Sequence, residues 1–251
     1  MNKEKFRFIR YQEFDAFMNM ALDEAICESV SKGESLPTIR LYSWKPCAIS
    51  IGYFQGYSIE VNEEECKKQG IDIVRRRTGG GAVYHDCEGE ITYSIIAPEN
   101  YFSKNIIESY KEICNILIDA LKNLGIDAQF SPINDIITNS KKISGNAQTR
   151  RGGILLQHGT ILYKVDVDKM FSLLNVSKEK IADKLITSVK KRVTSICDEI
   201  TVSKDSVKEE IENAFSKKYD LKIDEYSSEE LENAKEISIS RYSSDDWNKM
   251  R

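Results

Sequence analysis

The chain has 251 residues, 41% of them hydrophobic and 30% charged, and 36 Lys and Arg against 40 Asp and Glu give a formal net charge of −4. That length suits one domain, or one domain with a small lobe, and a globular chain of this size buries roughly 70–75% of its unfolded surface. The charge balance argues against a general nucleic-acid binder. The N-terminus "MNKEKFRFIRYQEF" lacks the apolar run of a signal peptide, and no stretch of about 18 apolar residues is present to span a membrane, so a cytoplasmic protein without a membrane partner is expected.

In chain order, "FDAFMNMALDEAICESVSKG" places apolar residues on one face of a helix that stops near Gly33. "TIRLYSW" and "CAISIGYF" read as strands, and "NEEECKKQG" as a short helix with a glycine stop. "IDIVRRR", "GAVYHD" and "EITYSIIA" read as three strands around a glycine-rich turn. Residues 103–124 form the clearest helix, with Ser103 as cap, apolar positions at 106, 107, 110, 113, 114, 117, 121 and 124, and Gly125 as stop. A β-rich stretch follows. From about residue 166 the pattern turns helical in "DVDKMFSLL", "SKEKIADKLI", "DSVKEEIENAFSKKY" and "SSEELENAKEI". Repeats and long linkers are absent, and a mixed element order favours α+β over a regular βαβ alternation.

Six cysteines, at 27, 47, 66, 87, 114 and 197, form no CxxC pair, and six free thiols, several of them buried, are expected in a reducing compartment. With two histidines, His85 and His158, a histidine-rich metal site is excluded. A Mg²⁺ site of carboxylate and carbonyl oxygens stays open.

The stretch "RRRTGGGAVYHD", residues 75–86, spends three of the chain's 13 glycines side by side. Glycines permit positive φ and close approach of backbone to a ligand, and successive N–H groups can cup an anion. Adjacent arginines add bidentate donors for phosphate or carboxylate. A tight hairpin beside a solvated basic strand is the competing explanation. The stretch is neither a P-loop nor a Rossmann fingerprint, because GxxxxGK[ST] is missing and no helix pattern opens after the glycines. Downstream, "NDIITNSKKISGNAQTR" offers Asp135 and Lys142 ahead of the small-residue turn Ser144-Gly145, and "LLQHGTIL" places His158 before a glycine.

Together "NMALDEA", "SIGYFQ", "RRRTGGGAVYHD", "NDI", "KKISGNAQ", "LLQHGTIL" and "YSSDDWN" occur in the order seen in the lipoate–protein ligase A family, which the chain resembles over nearly its whole length. The resemblance implies the biotin/lipoate ligase fold, a central mixed sheet flanked by helices. It implies a single catalytic domain over 1–251, helical from about 166, without the C-terminal accessory domain of many members. It also implies ATP-dependent activation of lipoate to lipoyl-adenylate and transfer to a lysine of a lipoyl carrier domain, either glycine cleavage H protein or a 2-oxoacid dehydrogenase E2 subunit. A separate accessory subunit would assist.

Carried onto this sequence, Lys142 would be catalytic. Arg76, Thr78, Gly79, Gly80, Gly81, Ala82, Val83 and His85 would bind substrate and nucleotide, as would Ser144, Gly145, Ala147 and His158. Asp135 would help hold Mg²⁺. Tyr53, Phe54 and Val83 are candidate walls for an aliphatic chain. The same fold houses transferases that use no ATP and carry the acyl group on a cysteine. In the Gram-positive type that cysteine lies just ahead of the lysine motif, whereas this chain has none between Cys114 and Cys197. Cys87 follows the glycine motif and is a nucleophile candidate by position. On these grounds the ligase is the expected activity and an ATP-independent octanoyl or lipoyl transferase the alternative. A non-catalytic effector-binding member of the fold is a third reading, against which Lys142 argues.

Overall fold

The structure is a computed structural model and describes residues 3–175 and 191–251. Its larger sheet has eight strands: β1 (Lys5–Phe14), β2 (Thr38–Trp44), β6 (Glu90–Pro98), β7 (Ala128–Ser131), β8 (Asp135–Thr138), β9 (Lys141–Arg151), β10 (Ile154–Leu162) and β11 (Asp220–Ile223). Across the sheet their order is β11-β1-β2-β6-β10-β9-β8-β7. β1 pairs parallel with both β11 and β2, and the remaining neighbours are antiparallel. A smaller sheet holds β3 (Ala48–Ile51) between β4 (Asp72–Arg75), parallel, and β5 (Val83–His85), antiparallel. This is the expected mixed-sheet, α+β architecture.

Burial explains the strand order. β2, with the sequence TIRLYSW, is buried along its whole length, as are eight of the nine residues of β6, so both lie in the middle of the sheet. One face packs on the helices Ile106–Asn123 and Lys204–Lys218: Phe6, Phe8, Tyr93 and Ile95 share a cluster with Ile113, Leu117, Ile211 and Phe215. The other face carries α1 (Ala16–Lys32), whose Met20, Ala21 and Ala25 cluster with Tyr42 and Trp44. α1 starts at Asp15, whose side chain accepts from the Met18 N–H, and ends at Gly33 with φ 72°.

The long helix starts later than its sequence suggests. Asn105, not Ser103, caps the helix Ile106–Asn123, because its Oδ1 accepts from the N–H groups of Ile107 and Glu108. Ile106 and Ile107 therefore sit in the first turn and stay exposed, while 110, 113, 114, 117 and 121 are buried. The C-terminal portion is not wholly helical either: β11 adds an edge strand beside β1. Its residues are exposed or half-buried, so it shows no alternation for a sequence reading to detect. The stretch "SKEKIADKLI" lies outside the described residues. Cys47 and Cys87 are bonded to each other, which corrects the expectation of six free thiols. The cause is tertiary: β3 and β5 pair antiparallel, which brings the residue before one strand beside the residues after the other.

Phe215 lies fully buried between the helix Lys204–Lys218 and the sheet, its ring 6.4 Å from Phe8 and 6.5 Å from Tyr93. Phe215→Ala should lower unfolding free energy by about 3–5 kcal/mol. Urea melts checked for an unchanged slope test this, and a loss below ~1 kcal/mol would mean the helix is not anchored there.

Candidate functional site

The three arginines of the glycine stretch leave in three directions. Arg75 donates to the carbonyls of Gly52, Tyr53 and Gln55, and to the carbonyl of Asn248 in the terminal "DDWN" helix Asp245–Asn248. Arg77 pairs with Glu24 of α1 at 2.6 Å. Arg76 is buried under the turn itself. Its Nη2 donates to the carbonyls of Gly79 (2.8 Å) and Gly81 (2.7 Å), its Nη1 to the carbonyl and hydroxyl of Ser50, and its Nε to the hydroxyl of Thr78. Burial pulls its guanidinium down to about 10, so it stays charged at neutral pH. Arg76 thus curls the turn from inside. Gly80, with φ 99°, supplies the left-handed residue, and a Cβ there would lie 2.9 Å from Arg76 Nη2. Gly52 backs onto this turn so closely that any Cβ would overlap the Gly80 carbonyl.

The turn forms one side of a cavity of about 290 Å³. Tyr42, Trp44 and Met170 make apolar walls, and Ala82, Val83 and Ala147 line it as well. Lys142 enters from β9 and ion-pairs with Asp135 at 2.7 Å. Gly145 gives the lysine its path, since a Cβ there would sit 2.6 Å from Lys142 Nζ. The neighbouring Asn146 is held by Tyr93, whose hydroxyl donates to its Oδ1 at 2.6 Å, and by the Asn134 carbonyl, which accepts from its Nδ2 at 2.8 Å.

Each of the chain's two histidines joins a carboxylate to a hydroxyl. His85 sits 2.7 Å from Glu90 through Nδ1 and 2.8 Å from the Ser50 hydroxyl through Nε2, with its ring stacked on Trp44 at 3.9 Å. His158 sits 3.1 Å from Asp23 through Nδ1 and 2.7 Å from the Thr78 hydroxyl through Nε2. Both hydroxyls also accept from Arg76. Burial alone would raise the Asp23 carboxyl, but Arg40 and hydrogen bonds from His158 and Ser94 outweigh it and hold the group below its usual range. Burial pushes the His158 imidazole down, with Asp23 opposing, which favours the neutral ring.

Of the residues singled out in the sequence, Arg76, Gly80, Gly81, Ala82, Val83, His85, Lys142, Gly145, Ala147 and His158 line the cavity. Thr78, Gly79 and Ser144 lie outside the lining; the first two shape the turn through Arg76, and Ser144 is fully buried. Tyr53 and Phe54 are not walls, and Phe54 is 70% exposed. Asp23, Trp44, Ser50, Glu90 and Asn146 are partners that sequence reasoning missed. Asp23 and Ser50 stand inside "NMALDEA" and "SIGYFQ", so the signal was present, but a carboxylate on an amphipathic helix gives no hint that it points inward.

Among the described residues, no cysteine lines this cavity. Cys114 is buried and burial raises its thiol to about 12, Cys66 rises to about 11 for the same reason, and Cys87 is bonded to Cys47. Asp135 spends its carboxylate on Lys142. Among the described residues, the group of Cys, Asp, Glu or His close enough to share a metal ion is Cys47, Asp86 and Cys87, which does not include Asp135.

The site is thus a cavity with apolar walls, bordered by the cations Arg76, Lys142 and Lys164 and flanked by two buried histidine relays. The chain belongs to the lipoyl protein ligase A/B catalytic domain family, whose pattern matches residues 15–216. It is 37% identical to octanoyltransferase LipM of Brevibacillus brevis, over 99% of this chain and 100% of that protein. It is 34% identical to octanoyltransferase LipM of Macrococcus caseolyticus, again over 99% and 100%. Among solved structures it is similar to the bipartite lipoate protein ligase from Thermoplasma acidophilum, with a TM-score of 0.89 and 32% identity over 98% of this chain and 96% of that one. Among the described residues no helix is long and apolar enough to cross a membrane.

These relatives correct the expected activity. The curated relatives named octanoyltransferase, matched over 99% of this chain and 100% of their own length, fit the ATP-independent alternative and not the ATP-dependent ligase, and ATP and Mg²⁺ fall with the ligase. The physical reason for the error is plain. The ligase was favoured because no cysteine precedes the lysine motif, but one missing side chain does not specify which activated acyl donor the cavity accepts.

Gly80→Val places a branched side chain at positive φ against Arg76. Octanoate affinity, measured by calorimetry, should drop at least tenfold while thermal unfolding shifts by only a few degrees. Unchanged affinity would make the turn a hairpin without a binding role.

Proposed function

We propose that this protein transfers an octanoyl or lipoyl group from a thioester donor to the lysine of a lipoyl carrier domain, without ATP. The observation that carries the reading is the combination of apolar walls with Lys142, poised over Gly145 at one side of the cavity. The names of full-length relatives support it.

The physics is consistent. Burying an eight-carbon chain at about 0.8 kcal/mol per methylene contributes several kcal/mol of binding. When an amine attacks the thioester carbonyl, negative charge develops on its oxygen. Lys142 meets that charge, and Asp135 fixes the ammonium in place. Arg76 holds Gly79, Gly80 and Gly81 in the shape that closes over the acyl group, while Thr78, His85 and His158 tie that turn to the sheets. Ala82, Val83 and Ala147 line the chain, and buried Ser144 supports the strand that presents Lys142 and Gly145. None of the six cysteines lies on the cavity, so the acyl group passes in one displacement from donor sulfur to acceptor nitrogen. A separate subunit that assists adenylation has no place in this reaction, and the partners are a thioester-bearing donor and a lipoyl domain.

The test uses the purified protein, octanoyl-carrier thioester and an unmodified lipoyl domain with no nucleotide present. The domain should gain one octanoyl group by mass on its acceptor lysine. Lys142→Ala should lower that rate about 10²–10³-fold with the fold intact by circular dichroism. Transfer that occurs only when ATP and free acid are supplied would sink the proposal.

A further inference from the structure

The one disulfide among the described residues, Cys47–Cys87, lies behind the wall of the acyl cavity. Both cysteines pack in a cluster with Ala82, Tyr84 and Met170, three residues that line the cavity. Cys47 directly precedes β3, and Cys87 lies between the lining residues Asp86 and Gly89, just ahead of β6. The two are 40 residues apart, and that interval holds Ser50, Gly52, Arg76, the three glycines and His85, the groups that shape the turn. We propose that this bond is a reversible thiol–disulfide site. Closed, it holds the acyl cavity in its binding shape; opened by a low-molecular-weight thiol, it loosens the wall and weakens acyl binding. The inference rests on the reading of this cavity as the acyl site of the proposed transferase.

The bond closes the open end of a short ladder. β5 pairs with β3 through Val83, Tyr84 and His85 alone, and both Val83 and His85 face the cavity. Past His85 the chain is held by hydrogen bonds. The Cys87 N–H donates to Cys47 Sγ at 3.2 Å, and the Cys87 carbonyl accepts from the Ser43 hydroxyl at 3.0 Å and from Lys204 Nζ at 3.4 Å. The Gly89 carbonyl accepts from the N–H groups of Tyr163 and Lys164 at the end of β10, and Lys164 lines the cavity too. The disulfide is therefore the covalent tie between the smaller sheet and the segment that carries Asp86 and Gly89 into β6. A cross-link over so long a loop restricts the unfolded chain, and it also keeps a three-residue ladder from fraying at the cavity wall.

Exchange begins at Cys87. This residue is half-buried whereas Cys47 is 8% exposed, so an entering thiolate reaches the Cys87 sulfur first. The new bond forms there, the Cys47–Cys87 bond breaks, and Cys47 leaves as a thiolate that the Cys87 N–H already meets. A second thiolate attacks the outer sulfur of the mixed disulfide, releasing the Cys87 thiolate and a small-molecule disulfide. Two electrons pass from two small thiols to the protein, and the protons those thiols give up end on Cys47 and Cys87. The reverse sequence, with the small-molecule disulfide as oxidant, closes the bond again. The other four cysteines are unbonded and take no part.

The test reads octanoate binding by calorimetry, which needs neither donor nor ATP, so a failure of the transferase reading is not confused with a failure of this one. Alkylation of the unfolded protein without reductant should label four cysteines, and all six after dithiothreitol. Labelling of all six without reductant would show that no bond exists and overturn the proposal. Dithiothreitol should weaken octanoate affinity at least threefold and lower the unfolding temperature by about 5 °C or more, and oxidised glutathione should restore both. Cys87→Ser should bind octanoate as weakly as the reduced wild type and no longer respond to reductant. Cys197→Ser, which removes an exposed thiol elsewhere, should respond as the wild type does. An affinity that changes less than threefold on reduction, or a Cys87→Ser variant that still responds, would sink the assignment. So would zinc that restores the affinity of the reduced protein at one ion per chain, because Cys47, Asp86 and Cys87 would then be a metal site.

Discussion

The site depends on one buried cation. Among the described residues Arg76 contacts no carboxylate; its guanidinium is satisfied by the carbonyls of Ser50, Gly79 and Gly81 and the hydroxyls of Ser50 and Thr78. A buried charge is tolerable only when its hydrogen bonds are complete. The surrounding backbone therefore has little freedom: the glycine turn must curl so that two carbonyls face inward, and β3 must present Ser50. Gly52 lets that strand approach the turn, and Gly80 lets the turn close.

The two histidine relays extend this constraint into both sheets. Glu90 on β6 orients His85 on β5, and Asp23 on α1 orients His158 on β10. Each ring ends on a hydroxyl that Arg76 also holds. The smaller sheet, the larger sheet and the first helix are thus connected through polar groups that are almost wholly buried. In a low-dielectric interior such a network is rigid when satisfied, and each missing partner is expensive. Under the proposed transfer, that rigidity holds a flexible acyl chain with its carbonyl in one place.

The neighbouring arginines illustrate how identical side chains take different tasks. Arg75 ties the loop after β3 to Asn248, which explains the terminal "YSSDDWN" segment as a brace. Arg77 pairs with Glu24, which also accepts from Tyr242 and ion-pairs with Arg241. Lys142 is more exposed than any of the three arginines, with 40% of its side chain accessible beside the acyl cavity. Under the proposed transfer, a cation that meets developing charge has to be reachable, whereas cations that shape backbone do not.

Local chemistry in the sequence determined a good deal. Consecutive glycines required a turn with positive φ, apolar periodicity required α1 and the helix Ile106–Asn123, and Lys142 ahead of Ser144-Gly145 marked a cation beside small residues, although the turn expected there is part of strand β9. The motif order placed the chain in its family and fold. What the sequence could not decide depends on pairing across long separations. Only the tertiary structure set Asp23 against His158, Ser50 against His85 and Cys47 against Cys87, because those contacts follow from strand register and helix docking, which no local spacing encodes. Three adjacent arginines look alike in the sequence; their roles differ because successive side chains leave the backbone in different directions and meet different partners. The choice of acyl donor escaped a sequence reading for a related reason. It is fixed by what the assembled cavity and its mouth accept, and the absence of a single cysteine says nothing about that shape.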